Sequence, residues 1–191
     1  MKFSMTSLQV PTFRTLDHRA LIEVFNQTFE LSHNTVLVGG AEEPIYLPAD
    51  DSHRQHRIIF TRDYGASALH EVAHWLVAGP ERRLQEDYGY WYAPDGRTQA
   101  QQDEFERVEI RPQAIEWLLS VAAGRRFRVS ADNLQAGLGA SDEFKNNIYQ
   151  QVLTFIDQGV SDRLQRLIGA LEKASGRTVT FTPGHYCLGA L

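Results

Sequence analysis

Apolar positions along the chain change their period several times, and each change predicts an element. In "LDHRALIEVFNQTF" the residues Leu21, Ile22, Phe25 and Phe29 recur at helical spacing, so the chain is expected to open with an amphipathic helix. Three short runs follow, "NTVLVGG", "EPIYLPAD" and "HRIIFTR", separated by glycine, proline and acidic turn residues, and these predict strands. Helical period returns in "ASALHEVAHWLVAG". Its end is expected at Gly79 and Pro80, because glycine suits a C-terminal cap and proline cannot continue the helix. The aromatic segment "DYGYWYAPDGR" ends in a Pro-Asp-Gly turn. Beyond it "AQQDEFERVEI" predicts one helix, and "PQAIEWLLSVAAG" predicts another that starts at Pro112 and is capped by Gly124. Two more helices are expected, from about Ser141 to Asp157 and from Ser161 to Ser175. "DNLQAGLGASDEF" reads as a loop and "RTVTFTP" as a late strand. Strands gathered early and helices late predict an α+β fold, a small sheet packed with helices. With no repeat and no linker-like tract, residues 1–191 are expected to form one domain.

Composition narrows the class. Hydrophobic residues make up 42% and charged residues 23%, which places the chain among globular proteins and excludes disordered and fibrous ones. No apolar run approaches a membrane span, and the first residues lack the apolar core of a secretory signal, so a cytoplasmic protein without membrane contact is expected. The lone Cys187 cannot form an internal disulfide and removes any cysteine-based metal framework. Metal ligands must then be His, Asp or Glu. A net charge of -5 argues against direct binding of nucleic acid, which needs concentrated positive charge.

The candidate chemistry lies in "ALHEVAHWLVAG". On a helix His70 and His74 share a face and can aim both imidazoles at one divalent cation, while Leu69, Val72, Ala73 and Leu76 turn to the core. The His-Glu-x-x-His spacing is that of a zincin-like metal-binding helix, in which Glu71 would reach a metal-bound water. The metzincin extension is excluded by Val77 and Pro80. A catalytic site keeps a coordination position open, so one further ligand is needed. Glu104, Glu106, Glu109 and Glu116 are the candidates. Phe105 and Val108 are expected to face inward with Glu109 beside them, which favours Glu109, then Glu106. Two histidines and a carboxylate serve either zinc hydrolysis, with Glu71 as base, or iron(II) oxygen chemistry. The usual oxygenase pattern His-x-Asp is absent, so these residues alone favour a zinc metallopeptidase.

Four segments alter that ranking: "EEPIYLPAD" at 42–50, "YGASALHEVAHWLVAG" at 64–79, "YGYWYAPDGR" at 88–97 and "FERVEIRPQAIEWLLSVAAG" at 105–124. In one order, from about Leu21 to Gly159, the chain resembles the elongation factor P hydroxylase family. The resemblance implies an oxygen-dependent hydroxylase that completes the modification of translation elongation factor P by hydroxylating its β-lysylated lysine. It implies a divalent metal, iron(II) before zinc, on His70, His74 and a glutamate of "FERVE", Glu109 or Glu106. Under this reading Glu71 relays a proton, orders a water or holds a ligand in place. The oxidation must be shielded from bulk water, so Tyr90, Trp91 and Tyr92, with Tyr88 and Trp75, are expected as walls of the substrate pocket. Asp95, together with Glu42, Glu43, Asp50 and Asp51, would meet the substrate's ammonium groups. The electron donor and the oligomeric state stay open, as does a non-catalytic adaptor on the same fold.

Overall fold

The computed structural model describes residues 13–87, 97–131 and 140–191. The first helix, α1 (His18–His33), is capped by Asp17, which accepts a hydrogen bond from the Ala20 N–H at 2.9 Å. It buries Leu21, Phe25 and Phe29 and stops at Asn34, whose left-handed φ of 49° turns the chain into β1 (Thr35–Ala41). The strands β2 (Ile45–Leu47) and β3 (His56–Thr61) complete a sheet of order β1-β3-β2. β3 lies in the centre, parallel to β1 with Ile58 opposite Leu37, and antiparallel to β2 with Ile58 opposite Tyr46. Asn26 of α1 covers part of the free edge of β1, its Oδ1 accepting from the Leu37 N–H at 2.7 Å.

Directly after β3 comes α2 (Gly65–Val77), with Leu69, Val72, Ala73, Trp75 and Leu76 buried. Glycine does not cap it. The helix leaves through Ala78 in an extended conformation, and arginines take the last carbonyls: Arg163 donates to Trp75, Leu76 and Ala78 at 3.3, 3.1 and 3.1 Å, and Arg83 donates to Ala78. Cationic donors at a helix C-terminus satisfy orphan carbonyls and suit the dipole.

The two helices expected on either side of Pro112 are one, α3 (Gln99–Ala122), 24 residues long with the proline inside. Proline removes the bond from position 112 to the Val108 carbonyl, a cost of about 3 kcal/mol. Packing offsets it, since Pro112 and residues 113–120 are all buried. Gly124 ends α3 as expected at φ +71°, and a Cβ there would stand 2.7 Å from the Arg14 carbonyl oxygen. Then come α4 (Asp142–Gln158), capped by Ser141, and α5 (Asp162–Ser175). The late strand does not form. The N–H groups of Val179 and Thr180 both donate to Glu172 Oε1 at 2.9 Å, so a carboxylate of α5 satisfies the backbone that a neighbouring strand would have served.

The architecture is therefore α+β, one three-stranded sheet with five α-helices among the described residues, sharing a single apolar cluster. None of these helices is long and apolar enough to cross a membrane.

Candidate metal centre

Two helices build the site. On α2, His70 and His74 stand one turn apart, and their Nε2 atoms approach to 3.1 Å. From α3, Glu109 brings Oε1 to 3.2 Å from His74 Nε2 and Oε2 to 3.8 Å from His70 Nε2. One donor atom from each residue falls within 4.8 Å of the others, and this is the group among the described residues that could hold a metal ion. The fit can be tested on the donors themselves. Atoms about 2.1 Å from a common ion stand about 3.0 Å apart at a right angle and about 3.4 Å at a tetrahedral one. The His70–His74 and His74–Oε1 separations lie in that interval, while His70 meets the other carboxylate oxygen, Oε2, at 3.8 Å. Imidazole and carboxylate donors suit a divalent first-row ion and leave room for exogenous ligands.

The electrostatics follow from burial. Glu109 is 2% exposed. Burial pushes its carboxyl up, but the hydrogen bond and charge of His74, with His70 and Gln113 behind them, outweigh it and hold the group below the usual carboxylate range. For His70 burial pushes the imidazole down, whereas the hydrogen bond and charge of Glu116, joined by Glu109 and Glu71, raise it to about 10. A cation arriving at these ligands must displace that proton.

Of the other glutamates, Glu106 faces α4, accepting from the Ser141 N–H at 3.1 Å and from its hydroxyl. Glu104 pairs with Arg107 at the surface. The geometry thus separates Glu109 from Glu106, though not for the reason expected. Phe105 and Val108 are only half-buried, and the inward stripe of α3 is itself polar, comprising Gln102, Glu109, Gln113 and Glu116. Gln113 donates through Nε2 to Glu109 Oε2 at 3.3 Å and to the Ser130 carbonyl, and its Oε1 accepts from the Ser130 N–H at 3.1 Å. Glu109 is tied in this way to the segment after α3. Glu116, passed over as a ligand, has Oε2 at 2.9 Å from His70 Nδ1. The spacing of Glu109, Gln113 and Glu116, four and then three residues apart, is the signal that could have revealed this stripe.

Glu71 points elsewhere. Among the described residues its carboxylate makes no hydrogen bond or ion pair, and it lines a cavity of about 30 Å³ with His74, Tyr46, Trp75 and Asp87. That volume admits about one water molecule. Burial raises the Glu71 carboxyl, with the two histidines pulling it down and Glu109 and Glu116 pushing it further up. Trp75 serves chiefly as core, its ring 5.4 Å from Phe25 and 4.9 Å from Phe29, with Arg163 4.8 Å above it. Glu42, Glu43, Asp50 and Asp51 do not line this cavity. Glu42 pairs with Arg62, and Asp50 with Arg57. Tyr88, Tyr90, Trp91, Tyr92 and Asp95 lie outside the described residues. Asp87, immediately before them, bridges to Tyr46 of β2.

The fold and this donor set define an α+β protein with a two-histidine, one-carboxylate cluster suited to a metal. The chain belongs to the elongation factor P hydroxylase family, whose model matches residues 24–183. It is also 52% identical over 151 residues to the elongation factor P lysine hydroxylase of Haemophilus influenzae, covering 79% of this chain and 85% of that protein.

Proposed function

We propose that this chain is a cytoplasmic, iron(II)-dependent hydroxylase acting on the β-lysylated lysine of translation elongation factor P, with residues 1–191 working as one domain. The observation that carries the reading is the convergence of His70, His74 and Glu109 in a member of a hydroxylase family. Helix α2 is read as zincin-like in its spacing; the chemistry is read from the family. Bound iron(II) would supply the activation of dioxygen. The protein's own part is to hold the three donors, exclude water and place the substrate.

Charge supports a cationic substrate. Three acids, Glu116, Glu109 and Glu71, act on His70, an acidic setting suited to an ammonium-bearing substrate. Among the described residues the Glu71 carboxylate makes no hydrogen bond or ion pair, and it lines the cavity, a position suited to ordering a water or meeting an ammonium group. Tyr90, Trp91, Tyr92 and Asp95 are proposed as the rest of the substrate pocket, supported by Asp87, which leads into them from the cavity wall.

The test is incubation of β-lysylated elongation factor P with protein, iron(II), oxygen and a reductant. A mass gain of one oxygen atom that requires both iron(II) and oxygen is the expected result. Cleavage of the substrate with zinc and no oxygen would replace this reading with a peptidase. No turnover with any metal, alongside retained substrate binding, would replace it with an adaptor.

A further inference from the structure

The inner stripe of α3 holds a second acid that the metal triad does not use. Glu116 is 5% exposed, yet no arginine or lysine pairs with it among the described residues. A buried carboxylate is costly unless a hydrogen bond or an opposing charge repays it. Its contact is His70 Nδ1, at 2.9 Å.

That contact determines what His70 can offer. An imidazole has two nitrogens on opposite sides of the ring, and a neutral ring carries its proton on one of them. A carboxylate acceptor beside Nδ1 keeps the proton there and leaves the Nε2 lone pair for a cation. Nε2 is the atom that faces His74 Nε2 and Glu109. The reverse arrangement, with Glu116 as a fourth ligand, does not match the geometry. Glu116 sits behind the ring and is not among the donors that fall within 4.8 Å of one another. Helix geometry makes the division of labour natural. Glu109 and Glu116 are seven residues apart, about two turns and about 10.5 Å along one face of α3. The first reaches the open side of the histidine pair, and the second passes behind His70.

We infer that Glu116 is a positioning residue for the metal centre, fixing the His70 ring with Nδ1 protonated and Nε2 presented to the cation. This rests on the metal-centre reading of His70, His74 and Glu109, and it does not depend on which reaction the bound metal performs. The histidines are then unequal: His70 is oriented by a buried charge from the partner helix, and its affinity for a metal depends on a residue 46 positions away.

The test is binding, not turnover. Cobalt(II) is titrated into the metal-free protein and into Glu116→Ala and Glu116→Gln, with visible absorption as the readout and thermal melting of the metal-free forms alongside. Loss of an outer hydrogen-bond partner costs about 10–100-fold in metal affinity, and that is the drop expected for Glu116→Ala. Glu116→Gln keeps an oxygen that can accept from Nδ1–H, so it should recover most of the affinity and the wild-type spectrum. In the zinc-loaded protein, ¹⁵N correlation spectra of the histidines should show the His70 proton on Nδ1. A folded Glu116→Ala that binds cobalt(II) as tightly as wild type would overturn the inference, as would a His70 bound to zinc through Nδ1. Should Glu116→Ala not fold, the tautomer of His70 and the affinity of Glu116→Gln still decide. A wild-type protein that takes up no cobalt(II) overturns the metal-centre reading and this inference with it. Binding without any hydroxylation leaves this inference standing and sinks only the proposed reaction.

Discussion

Two surfaces of α3 are buried equally deeply and are built in opposite ways. Toward α2 the helix presents Glu109, Gln113 and Glu116, each 5% exposed or less, against two imidazoles. Elsewhere it buries Ile115, Trp117, Leu118 and Leu119, with Trp117 stacked 5.3 Å from Phe127 and tilted 6.4 Å from Tyr149 of α4. The apolar surface gains free energy for every group it removes from water. The polar one takes carboxylates out of water and recovers the loss only through hydrogen bonds and opposing charge. The difference teaches which part of the helix folds the protein and which part is kept for the site.

Substitutions can break that comparison. The largest effect is expected at His74: His74→Ala should abolish metal uptake and hydroxylation, while a urea melt shows the fold intact. Conversely, Trp117→Ala should cost about 3–5 kcal/mol of stability, a drop in Tm of about 6–20 °C for a chain of this length, with metal still bound below the transition. If His74→Ala unfolds the protein and Trp117→Ala does not, the two surfaces have been assigned the wrong way round. Saturating metal sharpens the contrast. At 100 times its Kd it should raise wild-type stability by about 2.7 kcal/mol and should leave His74→Ala unchanged, as calorimetry can check. Replacing the buried pair as a unit, with His70→Leu and Glu116→Met together, should be neutral or stabilising by about 1–4 kcal/mol in the metal-free protein, although metal binding is lost. Glu71→Gln comes next: metal affinity is unchanged and turnover falls roughly tenfold, short of the 10²–10⁴ that a sole general base contributes. Glu104→Ala, on the exposed face of the same helix, should stay within about 0.5 kcal/mol of wild type.

The same contrast explains what could be read in advance. His70 and His74 are four residues apart on one amphipathic helix, so their meeting follows from local geometry alone. α1, α4 and α5 were legible because their buried residues are largely apolar and recur at helical spacing, and the start expected at about Ser141 is the residue that caps α4. The inner face of α3 reads as solvent-exposed because its buried residues are Gln and Glu; only the partner helix, tens of residues earlier, makes that burial tolerable. Glu116 is one of four candidate ligands in the sequence, and nothing local shows that it faces the far side of His70. Pro112 looks like a helix start because local propensity penalises it, and tertiary burial overrides that penalty. The late strand failed for a related reason: "RTVTFTP" has strand chemistry, but Glu172 already satisfies its backbone.

The most direct measurement of the central claim is the metal content of protein purified without chelator or added metal, compared with the double variant His70→Ala, His74→Ala. The account predicts about one divalent ion per chain in the wild type, iron under anaerobic purification, and none in the double variant. Equal metal content in the two proteins would contradict it.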